Sequence, residues 1–168
     1  MTLKDKLKGL PRVYYFNNDK TLDEHMDRSL SNLDVMDYSC MRIKYTSENS
    51  SEWKDLILNR SDYKLPVSVA GFSISVLEFL KDWLDVTEQD QDPELIIMRD
   101  TIDWEVAQTD LCYTWDFDWN YIRTRLPYDW DCFQFGFENL HYIPFYLHQI
   151  MPATTFGPSL LNRRYVKK

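Results

Sequence analysis

The residues best suited to chemistry fall in three short polar clusters, each placed directly after an apolar run. They are Asn17-Asn18-Asp19-Lys20 after Val13 to Phe16, Arg99-Asp100-Thr101-Ile102-Asp103 after Leu95 to Met98, and Gln134 with Gly136 after Cys132-Phe133. If the apolar runs are strands of an open α/β sheet, the clusters stand at strand exits, where such sheets bind ligands. Asn17 and Asp19 have a second role open to them, because short polar side chains also cap loops by hydrogen bonds to nearby backbone. A further stretch sets Trp115, Trp119, Tyr121, Tyr128 and Trp130 among Asp116, Asp118, Asp129 and Asp131. Rings that stack and carboxylates that accept hydroxyl protons suit sugar recognition, but the same aromatic spacing serves a core.

Other chemistries lack their signatures. His25, His141 and His148 are not spaced as metal ligands. Only four glycines are present, and no Gly-x-Ser-x-Gly elbow, Walker A loop or Gly-x-Gly-x-x-Gly fingerprint occurs, so hydrolase, NTPase and dehydrogenase readings have no motif to stand on.

The elements that would position these clusters follow from periodicity. Val13 to Phe16 is short, aromatic and β-branched and reads as a buried first strand. Leu22, Met26, Leu30 and Leu33 then recur on one helical face, with Thr21 as a capping residue. Tyr38 to Tyr45 gives a second strand, so the chain opens β-α-β, the unit of a parallel, doubly wound sheet. Between Thr46 and Pro66 no period holds, although Trp53, Leu56 and Ile57 suggest a short helical turn. From Val69 to Asp85, Ile74, Leu77, Leu80 and Leu84 are in helical register, with Gly71, Ser73 and Ser75 allowing close approach to another backbone. Leu95 to Met98 is a continuous apolar run that suits an interior parallel strand. Its expected neighbours are the strands at Val13 to Phe16 and Cys132 to Phe135. A turn at Gly157-Pro158 precedes a helix beginning near Ser159 or Leu160.

At 168 residues, 44% hydrophobic and 15% aromatic, the chain is long and apolar enough for one globular domain without disulfides or metal. A formal charge of -8 disfavours nucleic acid as a partner, and only Arg163, Arg164, Lys167 and Lys168 form a basic cluster. Cys40, Cys112 and Cys132 are odd in number and lack CxxC spacing, which suits reduced thiols in a cytoplasmic protein. No signal-peptide pattern or membrane-length apolar run is present. The sequons at Asn49 and Asn59 matter only in a secretory lumen.

The order of these pieces resembles glycosyltransferase family 25. The resemblance rests on Asn17-Asn18-Asp19 closing the first strand, Glu24-His25-Met26 in the first helix, and Gly71 to Val76 opening a helix. It continues through Arg99-Asp100-Thr101 after an apolar strand, Asp129-Trp130-Asp131 at a strand start, and Asn162-Arg163-Arg164 in a late helix. It implies a Rossmann-like, mostly parallel sheet of the GT-A type in a single domain over 1–168, with the acceptor part of the family lacking. The implied reaction is transfer of a hexose, such as galactose or glucose, from a UDP-sugar to a glycan or protein hydroxyl. Asn17, Asp19, Lys20, Arg99 and Gln134 would bind the donor, and Asp100 and Asp103 any Mn or Mg ion.

The departures fall on the metal motif. Where the family resemblance implies an acidic triplet, Arg99 and Thr101 replace its first and third members, leaving Asp100 with Asp103 beyond it. Such a set is a poor cage for a divalent ion, which wants several oxygen ligands. An arginine fork can meet a diphosphate directly, so a metal-independent site is favoured. Val76 stands where the family carries a histidine. The alternative is a catalytically inactive relative serving as a binding or interaction module, of a shortened kind that a virus could carry.

Overall fold

The computed structural model describes residues 2–53, 55, 66–88, 92–98, 116–135 and 158–168. In chain order the elements are α1 (Leu3–Leu7), β1 (Val13–Phe16), α2 (Lys20–Asn32), β2 (Tyr38–Met41), α3 (Ser50–Trp53), α4 (Val67–Val86) and β3 (Glu94–Met98). After them come α5 (Trp119–Arg123), β4 (Cys132–Gln134), β5 (Ser159–Asn162) and α6 (Arg163–Val166). The strands form one open sheet in the order β2-β1-β3-β5-β4. β1 is parallel to both β2 and β3, while β5 is antiparallel to β3 and to β4, so every strand except β5 points the same way.

The sheet is covered on both faces, which is why Val13 to Phe16 and Leu95 to Met98 are apolar at successive positions rather than at alternate ones. Val13 and Tyr15 of β1, Ile96 and Met98 of β3 and Leu160 of β5 face a core with Met26 and Leu30 of α2 and Trp119 and Ile122 of α5. Tyr14, Phe16, Leu95, Ile97 and Leu161 face the other way, onto Phe72, Val76 and Trp83 of α4. The result is an α/β architecture with helices in both outer layers.

Several expectations need correction. Ser159–Asn162 is a strand, and the helix expected there starts at Arg163, with Asn162 capping it by accepting from the Arg164 N–H. Four residues are too few to show a period, and the adjacent Leu160 and Leu161 fill opposite faces as an interior strand requires. In consequence β3 is flanked by β1 and β5, and the Cys132 strand lies one place further out than expected.

The face of α4 also differs from expectation. Leu77 is 66% exposed, whereas the expected Leu80 and Leu84 do pack against the core with Phe72, Val76 and Trp83, and Gly71 and Ser75 lie against the Tyr45 loop. The helix is apolar around much of its circumference, so spacing alone does not select a face. Similarly, Leu22 lies at the exposed edge of the α2 stripe whose Met26, Leu30 and Leu33 are buried. The second strand stops at Met41, short of the expected Tyr45.

Candidate functional site

The chain turns outward in both directions from β1. It crosses through α2 to β2 on one side and through α4 to β3 on the other, so the sheet order reverses between β1 and β3. A crevice at the carboxyl ends of those two strands is the ligand position that this topology provides. Tyr15 pairs with Met98, so β1 and β3 end almost level on its two sides.

At the β1 side the polar residues are held tightly. Asn17 is buried; its Oδ1 accepts from the Asp19 N–H at 2.8 Å, and its Nδ2 donates to the Asp19 carbonyl at 2.6 Å and to Asp23 Oδ1 at 3.0 Å. Asn18 crosses to the β2 exit, donating to the Ile43 carbonyl at 2.9 Å and accepting from its N–H at 2.8 Å. Asp19 is the N-cap of α2, accepting from the N–H and hydroxyl of Thr21 at 2.9 and 2.8 Å. The Thr21 bonds hold the Asp19 carboxyl below its ordinary pKa. The cap is therefore Asp19 rather than Thr21, and Lys20 is the exposed first residue of α2.

Two residues without any sequence signal complete this rim. Arg42, just past β2, forms a two-pronged ion pair with Asp23 in the first turn of α2, and its Nη1 also donates to the Asn17 carbonyl at 3.1 Å. The hydrogen bond from Arg42 lowers the Asp23 pKa, and the same bond raises that of Arg42. The Cys40 thiol, pushed up by burial, points at Asp23 Oδ1 from 3.4 Å. Charges separated by 19 residues look like ordinary surface in a sequence; only the parallel pairing of β1 with β2 brings them together.

Beyond β2, Lys44 Nζ pairs with Glu78 of α4 at 2.9 Å, and the Tyr45 hydroxyl donates to the same carboxylate. Tyr45 and Lys44 together lower the Glu78 pKa, which makes it a weak base. Ser75 accepts from the backbone N–H groups of Lys44 and Tyr45, each at 3.1 Å, and so holds this loop against α4.

Of the remaining candidates, Arg99, Asp100 and Asp103 lie outside the described residues, as do Cys112, Trp115, His141 and His148. Gln134 ends β4, which points the same way as β1 and β3, so it lies on the same edge of the sheet. With β5 and β3 between, its strand is about 14 Å from β1. Trp119 is fully buried against Phe133 and Phe135 and belongs to the core, whereas Tyr121 and Tyr128 are exposed. Among the described residues, no three His, Cys, Asp or Glu side chains group to hold a metal ion, and the two acids nearest the β1 exit are committed to a helix cap and an arginine. No helix among them is long and apolar enough to cross a membrane. Compared with protein-family models and with curated proteins, the chain matches none.

Proposed function

We propose that the chain is a nucleotide-sugar-dependent glycosyltransferase-like protein, similar to family 25, with its donor crevice between the carboxyl ends of β1 and β3. The observation that carries this reading is the reversal of strand order at β1, because the two polar exits on which the resemblance rests follow the two strands at that reversal. On this reading the sheet is of the Rossmann-like GT-A type and the donor is a UDP-hexose. The acceptor is a glycan or protein hydroxyl, and the protein works in the cytoplasm. Asn17 and Asp19 shape the loop under the donor, Lys20 lies at its rim, Gln134 stands at the far end of the donor site on the same sheet edge, and Arg99 meets the diphosphate.

Arg99 also sets the metal dependence. It puts a permanent positive charge where an acid would hold a cation. At ~4 Å and an effective dielectric near 20, two unit charges interact by about 4 kcal/mol, enough to cancel what a lone Asp100 at the same distance offers. Donor binding is then independent of Mn or Mg, and Arg99→Glu abolishes it or makes it metal-dependent. Calorimetry with UDP and UDP-sugars, with and without EDTA, tests this. Strict metal dependence of the unaltered chain would overturn it.

A second reading is favoured by one observation: Asn17, Asn18 and Asp19 all spend their side chains on internal hydrogen bonds. It is an inactive relative that retains the fold as a binding module. No response to UDP under either condition supports this reading over the first.

A further inference from the structure

We propose that the surface beside the amino end of β3, built from α5, the Pro127–Trp130 turn and α6, docks an acidic segment of a partner protein through Arg125 and Arg164. This surface lies at the opposite edge of the sheet from the crevice. Glu94 at the start of β3 pairs with Asn162 at the end of β5, and it takes Arg123 of α5 in an ion pair at 3.6 Å, so these elements converge there. The Trp130 N–H donates to the Pro127 carbonyl at 3.1 Å and closes a turn that leaves Tyr128 95% exposed.

The two arginines are exposed and held in place without a carboxylate among their bonded partners in the described residues. Arg125 lies over the Tyr121 ring with its guanidinium 3.4 Å from the centroid, and Phe117 stacks on Tyr121 at 5.0 Å. Arg164 leans over Tyr128 at 5.8 Å and donates to the carbonyls of Tyr128 and Trp130 at 3.4 and 3.3 Å. Neighbouring acids are engaged elsewhere: Glu94 with Arg123, Asp131 with Lys168 at 3.0 Å, and Asp118 as the cap of α5. Exposed Asp129, and exposed Asp116 next to Phe117, are acids that oppose the arrangement.

Stacking fixes a guanidinium plane while leaving N–H groups for a carboxylate, which takes them two at a time. Arg125 and Tyr128 are three residues apart, so their Cα atoms are at most about 11 Å from each other, within the span of a short peptide. Tyrosine and arginine are also the residue types enriched where interfaces concentrate their binding energy. Residues 158–168 carry four bases and no acid in a chain whose net charge is -8, and of these Arg163 is buried and Lys168 is paired with Asp131. That overall charge opposes dense polyanions such as nucleic acid, while a peptide with spaced carboxylates can meet the local cations and lay apolar groups on the exposed rings.

Fluorescence anisotropy on the full chain tests the proposal with a labelled ten-residue peptide of alternating Glu and Ala and its Gln counterpart. The expected result is saturable, salt-sensitive binding of the Glu peptide, at least tenfold weaker for the Gln peptide and for the Arg125→Ala, Arg164→Ala double variant. Tyr128→Ala should weaken it several-fold and Asp129→Asn strengthen it. Arg125→Gln alone leaves the Arg164 bonds in place and serves, with circular dichroism, to separate lost binding from lost folding. The proposal is overturned by no binding, by equal binding to the double variant, or by preferred binding of an oligonucleotide or of anionic vesicles.

Discussion

Gly71 in α4 and Tyr45 beyond β2 meet backbone to backbone. A Cβ on Gly71 would lie 2.8 Å from the Tyr45 carbonyl carbon, closer still to its oxygen, and 3.0 Å from Cζ2 of buried Trp53. None of these atoms is the loose end of a flexible chain, so the helix or the loop must shift. Gly71→Ala should therefore destabilise the protein by about 2 kcal/mol or more, although alanine alone would favour the helix by ~1 kcal/mol. Urea unfolding measures it, and an unchanged or raised midpoint would show that α4 does not hold the loop this closely.

Arg163 is only 5% exposed, and it lies against the C-terminal end of α4. Its guanidinium donates to the Leu84 carbonyl at 3.0 Å, the Asp92 carbonyl at 3.3 Å and the Thr87 hydroxyl at 2.6 Å, and it covers the Trp83 ring at 4.6 Å. A cation there complements the negative end of the helix. Arg163→Met removes those donors from buried acceptors and should cost about 3 kcal/mol. Arg163→Lys should recover little, because an ammonium cannot reproduce the planar fork. Full recovery by lysine would reduce the role to charge.

Asp34 follows α2 with φ of 63°, in the left-handed region. The Val35 N–H bonds back to the Leu30 carbonyl and the Asp34 N–H to that of Ser31, each at 3.0 Å, which closes the helix in a Schellman arrangement. Glycine enters this conformation without the Cβ penalty, so Asp34→Gly should stabilise by about 0.5 kcal/mol after its greater unfolded-state freedom is counted. Thermal unfolding decides the sign.

Glu94 is the acid whose burial raises its pKa, against a smaller opposing effect of Arg123. Its folded value thus lies above its unfolded value. Its contribution to stability is fully present below the unfolded value, near pH 4.5, and is lost as pH rises through the folded one. Glu94→Gln should accordingly raise the melting temperature at pH 7, by on the order of 2 °C, with the gain vanishing below pH 4. A loss at pH 7 would show that the Arg123 pair outweighs desolvation.

How far the fold was legible depended on how many residues each signal had to work with. β1, β3, α2 and the extent of α4 follow from runs long enough to show their period, and the close approach at Gly71 follows from its lack of a Cβ. Ser159–Asn162 did not, because four residues with two adjacent leucines fit a helix start as well as a strand. The candidate site was legible only along the chain. Asn17 and Asp19 announce themselves by standing after a strand, whereas Arg42 and Asp23 become partners only through the register of β1 with β2. The buried use of Arg163 was hidden in a basic cluster that reads as surface.

The interior place of β5 sets a timetable for synthesis. Ribosomes deliver β1, β2 and β3 early, and those three can pair as they emerge. β3 keeps one side open until residues 159–162 appear, and β4, made before β5, has no partner among the described strands until then. Through that interval the nascent chain presents an apolar strand edge of the kind that other chains can add to. A ribosome stalled shortly before Ser159 would release a sticky product rather than a slightly shortened one, and cells making this protein at high rates would depend on chaperones during that window.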